Sequence, residues 1–225
     1  IGAGCVIGAH VVIEGDTTLG RDNRVHPFAS LGGAPQDKKY RGEPTRLEIG
    51  DDNTFREGVT VNRGTVQDHG LTRVGSHNWI MAYVHIAHDC TVGNHCIFAN
   101  AASLAGHVRI DDWVILGGFS LIHQFCQVGA HAFTSMGSVI NRDVPPYVTV
   151  AGPFAEPKGI NSEGLKRRGF DSARIMSIKR GFKTLYKSGL PLAEARAQLA
   201  SAAEDAPDLR LMLDFIDRSE RSLIR

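Results

Sequence analysis

Fifteen residues from Ala82 to Cys96, AYVHIAHDCTVGNHC, hold three histidines, two cysteines and one aspartate. Such a set could ligate a metal ion, pair a thiolate with an imidazole base, or hold one histidine as a general base beside a carboxylate. Residue type alone leaves these open. The elements that carry the residues decide which side chains meet.

Those elements follow a period of six. Counted in sixes from Ile1, the first position holds Ile1, Ile7, Ile13, Leu19, Val25 and Leu31, and the phase returns at Ile49, Phe55 and Val61. It then runs through twelve blocks from Val74 to Ile140, with Thr134 as the one polar exception. Glycine often follows the apolar residue, as at Gly20, Gly50, Gly75, Gly93, Gly117 and Gly129, and the fifth position is usually Val, Thr, Ser, Ala or Cys. Neither a 3.6-residue helix nor an alternating strand gives this period. A hexapeptide β-helix does, with one short strand per block and three blocks per triangular coil. The fold class is therefore mainly β: a parallel β-helix over residues 1–153, followed by a helical domain over 154–225. Two polar segments interrupt the ladder, Gly32 to Glu48 and Gly64 to Arg73, and loops on rigid scaffolds often carry function. After Pro145, Pro146 and Pro153 the period ends. Helices are predicted over Ser162–Gly169, Asp171–Ser188 with Asp171 as N-cap, Pro191–Glu204 and Asp208–Ser222.

Register then sorts the reactive residues. Cys5, Cys90, Cys96 and Cys126 all take the small fifth slot, where a buried thiol behaves as an apolar residue; Cys90 and Cys96 lack metal-site spacing. His10, His77, His95, His107 and His131 share the fourth position, a turn slot that tolerates unusual backbone angles. His88 alone takes the third position, beside Asp89. Coils stack every 18 residues, so Gly106 and Gln124 continue the line of His88, and His107 and Phe125 that of Asp89. A base beside a bare glycine N–H suits acyl transfer.

The 225-residue chain is 42% apolar with a net charge of +1, as expected of a packed protein. No run reaches the roughly 18 apolar residues of a membrane span, and no signal peptide opens the chain, so a cytoplasmic location is expected. Residues 161–187 hold eight Lys or Arg against two Asp or Glu. That imbalance calls for an anionic partner; no nucleic acid is expected.

The motifs HIAHDCTVGNHC, LAGHV, IHQFC, DVPPYV and NSEGLKRRGF, with the loop QDKKYRGEPTRLEIGDDN and the stretch VNRGTVQ, match a known pattern in order along the whole chain to its SLIR end. The sequence resembles the acyl-carrier-protein-dependent UDP-N-acetylglucosamine O-acyltransferases of lipid A synthesis, within the hexapeptide-repeat transferase superfamily. The resemblance implies a left-handed prism, homotrimers with the active site between neighbours, and further N-terminal coils that this chain lacks. It implies transfer of an (R)-3-hydroxyacyl group from acyl carrier protein to the sugar 3-hydroxyl, with no cofactor and no metal. His88 becomes the general base and Gly106 the oxyanion donor, with Asp89 beside His88 as the third catalytic residue. Asp37, Gln36 and Lys39 are expected at the sugar. His85, His107, His123 and Gln124 are expected to line the pocket. Asn161, Glu163, Arg167 and Arg168 are expected to hold the nucleotide.

Two positions depart from the family pattern. Met136 stands where glycine leaves a long acyl groove, which predicts a C10 to C12 chain over C14; a methionine packed inside the prism is the plain alternative. Asn62 stands where many relatives carry histidine. Three other readings remain: an N-acyltransferase of the same pathway or a coenzyme A-dependent acetyltransferase, a zinc hydratase using His85, His88 and His107, and a non-catalytic solenoid.

Overall fold

A computed structural model describes residues 1–225. Twenty-one short parallel strands wind into a three-faced prism, and residues one coil apart pair directly, as Trp79 with Ile97 and His85 with Ser103. Face I holds eight of these strands and one antiparallel addition, face II seven and face III six. Each block supplies one strand because its first residue points inward and its sixth outward. Phe55, Ile80, Ile86, Phe98, Leu104 and Leu116 are fully buried in a continuous core of 34 residues. Burial of such a side chain contributes roughly 1.5–3 kcal/mol, so the repeat itself stabilises the prism. Thr134, the exception, is equally buried and spends its hydroxyl on Ser120 Oγ at 2.7 Å and the Gly117 N–H at 3.1 Å.

The fifth slot is inward, as expected, and Cys90, Cys96 and Cys126 are fully buried. Burial pushes the Cys90 and Cys96 thiols up to about 12, which removes them as nucleophiles at neutral pH. On one edge the same slot holds Asn23, Asn53 and Asn78, whose carboxamides bond coil to coil. The fourth slot makes the corners: fifteen non-glycine residues have positive φ, among them His10, His77, Asp89, His95, His107 and His131 near 60°. The histidine cluster at this position is thus a backbone property, with the side chains stacked outside as an aromatic ladder from His77 through His95 and Trp113 to His131 and Tyr147.

The three corners differ in chemistry. The I/II corner carries exposed Phe28, Tyr83 and Phe119. The II/III corner carries Asp89, His107 and Phe125, and the III/I corner the His77–Tyr147 ladder. Both polar insertions leave face II and enter face III, so both emerge at the II/III corner. They are shorter than expected. Residues 32–33, 46–48 and 71–73 belong to strands, because Gly33 pairs with Asn62 and Arg46 with both Asp16 and Leu71.

The domain boundary expected at 153/154 falls inside a hairpin. Val148–Ala151 pairs antiparallel with Glu156–Ile160, which continues face I before any helix begins. Four helices follow: α1 Ser162–Arg167, α2 Ser172–Lys187, α3 Leu192–Ala202 and α4 Asp208–Arg218. Asp171 caps α2 through the Arg174 N–H. Helix α4 ends four residues before the expected Ser222, since Ser219 bonds the buried Asp143 and Leu223 and Ile224 pack back on the prism. No helix is long and apolar enough to cross a membrane.

Candidate active site

The II/III corner brings His88, Asp89, Gly106 and His107 together, as the 18-residue stacking requires: the His107 N–H bonds the His88 carbonyl at 3.0 Å. His88 Nδ1 lies 2.8 Å from Asp89 Oδ2. Asp89 is buried and accepts two more bonds, from the Thr65 N–H at 2.8 Å and Thr65 Oγ1 at 2.7 Å. Its own N–H donates to Thr72 Oγ1 at 2.8 Å. Burial alone would raise this carboxyl; the bonds from His88 and Thr65 together outweigh it and hold Asp89 below the usual carboxylate range. An ionised Asp89 only accepts, so Nδ1 of His88 carries the proton and Nε2 keeps its lone pair.

Glycine at 106 is a steric requirement. A Cβ there would fall 2.5 Å from His88 Cε1 and 2.7 Å from Nε2. The Cε1 side of the imidazole lies against this glycine, which is itself buried, and no protein acceptor takes the Gly106 N–H. His107 stands edge-on to His88 with ring centres 5.1 Å apart, stacks on Phe125, and bonds Asp68 Oδ2 through Nδ1 at 2.8 Å. His107 Nε2 sits 3.9 Å from Asp89 Oδ2. The second insertion therefore supplies both supports, Thr65 to Asp89 and Asp68 to His107. Sequence reasoning missed Thr65, Asp68 and Thr72; the visible signal was that this insertion sits one coil before the HIAHD block. The first insertion is tied to the same place through Asn62 Nδ2, which bonds the Ala34 carbonyl at 3.1 Å.

The other expected residues distribute over three corners. His85, on face II, meets Thr60 Oγ1 at 2.7 Å, and burial together with nearby His88 pushes its pKa down. Asp37 in the first insertion takes the Lys39 N–H at 2.9 Å, while Gln36 and Lys39 are exposed. Gln124 and His123 are exposed farther along the II/III corner, and His123 meets Arg221. Asn161, Glu163, Arg167 and Arg168 lie at the III/I corner instead. Asn161 caps α1 through the Gly164 N–H and bonds the His131 carbonyl; Glu163 pairs with Lys166 at 2.8 Å. Arg168 is drawn against the ladder, whereas Arg167 is exposed. Met136, beside the I/II corner, is 78% exposed, which rules out packing inside the prism. Three groups could hold a metal at the II/III corner, but they are His88, Asp89 and His107, without His85.

Comparison with known proteins identifies the family and the fold. Residues 143–224 match a family described as UDP N-acetylglucosamine O-acyltransferase, domain 2, and residues 71–106 match the bacterial transferase hexapeptide repeat. Two curated relatives carry the name acyl-[acyl-carrier-protein]–UDP-N-acetylglucosamine O-acyltransferase. The protein from Janthinobacterium sp. (strain Marseille) is 61% identical over 91% of this chain and 79% of its own length. That from Herminiimonas arsenicoxydans is 60% identical over all of this chain and 92% of its own. Among solved structures, LpxA from Acinetobacter baumannii overlays with a TM-score of 0.98 at 46% identity, covering all of this chain and 88% of that one. The Francisella novicida UDP-N-acetylglucosamine acyltransferase gives 0.95 at 41%, covering 98% and 83%. Mirror-image coils cannot overlay in this way, so the hand of the prism is shared with these structures and the left-handed β-helix stands. The chain belongs to the UDP-N-acetylglucosamine O-acyltransferase family.

Proposed function

We propose that this chain transfers an (R)-3-hydroxyacyl group from acyl carrier protein to the 3-hydroxyl of UDP-N-acetylglucosamine, the first step of lipid A synthesis, with His88 as general base. The observation that carries the reading is the clamp on His88: Thr65 fixes Asp89, Asp89 fixes Nδ1, and Nε2 is left over the Gly106 backbone. In this mechanism Nε2 takes the sugar hydroxyl proton as the oxygen attacks the thioester carbonyl. Negative charge develops on the carbonyl oxygen, which the unpartnered Gly106 N–H stabilises by donating to it. The intermediate expels the carrier thiolate, which recovers the proton from His88. Asp89 stabilises the imidazolium and holds its tautomer. It is a positioning residue and touches no substrate.

A homotrimer completes the site. The outward residues of faces I and II include Val6, Trp79, Ile97, Val12 and Leu121, and the corner between them carries Phe28, Tyr83 and Phe119; face III instead presents Glu48, Arg73 and Arg109. Burial of the apolar corner around a threefold axis leaves the charged face in water. That packing sets the His88 corner of one protomer beside the Asn161, Arg167 and Arg168 corner of the next, so the nucleotide clamp and the base meet across an interface. Asp37, Gln36 and Lys39 close the sugar end from the insertion above His88. Lys179, Arg180, Lys183 and Lys187 on α2 are exposed without ion-pair partners and suit an acidic carrier protein. A cytoplasmic location is consistent with this donor. Sedimentation at the 24.4 kDa chain mass, with no trimer, would remove the composite site.

The three-ligand set His88, Asp89 and His107 gives the metal reading a specific form. The chemistry of the set disfavours it. His88 Nδ1 and Asp89 are bonded to each other, and the second Asp89 oxygen and His107 Nδ1 are held by Thr65 and Asp68. The test is incubation with UDP-N-acetylglucosamine and hydroxyacyl carrier protein, comparing wild type with His88→Ala and assaying bound zinc. Loss of turnover by about 10²-fold or more is expected. Full activity in His88→Ala, or stoichiometric zinc, overturns the assignment.

A further inference from the structure

We propose that His131 is a positioning residue for the nucleotide clamp, holding Asn161 and Arg168 together at the III/I corner. This rests on the reading that Arg168 and Asn161 contact the nucleotide. His131 touches both. Its carbonyl accepts the Asn161 carboxamide N–H at 3.0 Å, and its Nδ1 lies 3.1 Å from Arg168 Nη1. A guanidinium only donates, so Nδ1 must offer its lone pair and the ring must be neutral with its proton on Nε2. The same arginine lies over Trp113, 5.3 Å from the ring centre, and His131 is stacked between Trp113 and Tyr147 with Phe170 against its edge. The long Arg168 side chain is thereby confined by one acceptor and one aromatic face, with its remaining N–H groups uncommitted. Neighbouring Arg167 has no such partner and is exposed.

The electrostatic surroundings keep the ring in the required state. Burial and the facing Arg168 push His131 down to about 4, with Arg174 from α2 adding to this and Asp208 of α4 and Asp112 of the prism opposing. His131 thus accepts from Arg168 throughout the neutral range. Pre-organising an arginine in this way lowers the entropy lost when it grips a phosphate.

Substitution can remove the acceptor without disturbing the backbone. His131 has φ 62°, yet Phe28, Phe119 and Phe125 occupy the same corner slot at 65°, 57° and 64°. His131→Phe keeps the stack and the carbonyl to Asn161 but deletes Nδ1. His131→Asn restores an acceptor at the Nδ1 position and tolerates the left-handed backbone. Should phenylalanine crowd Phe170, His131→Ala serves, since Ala101 already holds an equivalent corner at 59°. The expected result is a KM for UDP-N-acetylglucosamine raised about tenfold in His131→Phe, the scale of one hydrogen bond to a charged group. The KM for the acyl carrier, kcat and Tm should stay near wild type, and His131→Asn should recover to within about twofold. An unchanged nucleotide KM in His131→Phe, or no recovery in His131→Asn, overturns the proposal. Arg168→Gln separates the two levels of the argument. If it too leaves the nucleotide KM unchanged, the assignment of Arg168 to the nucleotide fails; if it raises that KM while His131→Phe does not, only the His131 step fails.

Discussion

Gly106→Ala is the sharpest perturbation of the site because one methyl group meets the base directly. The added Cβ would lie 2.5 Å from His88 Cε1, 2.7 Å from Nε2 and 3.1 Å from Nδ1. Carbon atoms in contact sit about 3.5–4.0 Å apart, so the ring must retreat by roughly 1 Å. It has no slack on the other side: Nδ1 is bound to a buried Asp89 that two further donors, the N–H and the hydroxyl of Thr65, hold in place. The ring therefore leaves its hydrogen bond, its alignment with the attacking hydroxyl, or both. A misplacement of about 1 Å costs on the order of 10²-fold in rate, and the lost bond costs about 1 kcal/mol of stability. The N–H of residue 106 survives in alanine, so the loss reports displacement of His88 rather than removal of the oxyanion donor. The assay is kcat at saturating concentrations of both substrates, with Tm measured alongside. Gly118→Ala is the control: it occupies the same block position at another corner, where its Cβ would meet only the Asn100 carbonyl at 3.4 Å, and it should stay near wild type. A Gly106→Ala enzyme that keeps more than about a third of wild-type kcat refutes the argument that close packing of imidazole on glycine sets the base.

Two further outcomes follow from the same coordinates. Met136 is exposed beside the I/II corner, so if it limits the acyl chain Met136→Gly should shift preference from C10–C12 toward C14 hydroxyacyl carriers, with about 0.8 kcal/mol regained per methylene accommodated; equal preference in both enzymes removes the ruler role. Acid should destabilise the fold in two stages. His131 falls from an ordinary 6.5 to about 4 in the folded chain, so its contribution is complete above pH 6.5 and is lost as pH drops toward 4, at most about 3 kcal/mol by pH 4.5 before solvent screening. Asp89, held low, adds its loss only below the ordinary carboxylate range. Thermal melts of wild type and His131→Phe between pH 7.5 and 4.5 should agree at neutral pH and separate in acid, where only the wild type carries the cost of protonating residue 131; parallel curves would contradict the assignment.

Much of the prism was legible in sequence because a hexapeptide coil has one inward residue per block and one spacing between coils. Register alone moved the cysteines inside, put five histidines on the corner backbone and singled out His88 above Gly106. Local signals also found the helices and the Asp171 cap. They failed at their ends, where the decisive partners are remote: Asp143 captures Ser219 and stops α4, and the Val148–Ala151 strand pulls Glu156–Ile160 into face I. The supports of the base were invisible for the same reason. Nothing in the segment GTVQDHGLTR marks Thr65 as the clamp on Asp89 or Asp68 as the anchor of His107 until the insertion folds back over the corner. Tertiary structure also separated residues that resemblance had grouped. Arg167 and Arg168 are adjacent in sequence, but only Arg168 reaches His131 and Trp113, and both lie on a different corner from His88. The periodic sequence determined which residues face inward and which stack, since those are properties of one repeat; packing between corner, insertion and helix decided which of the outward residues could work together.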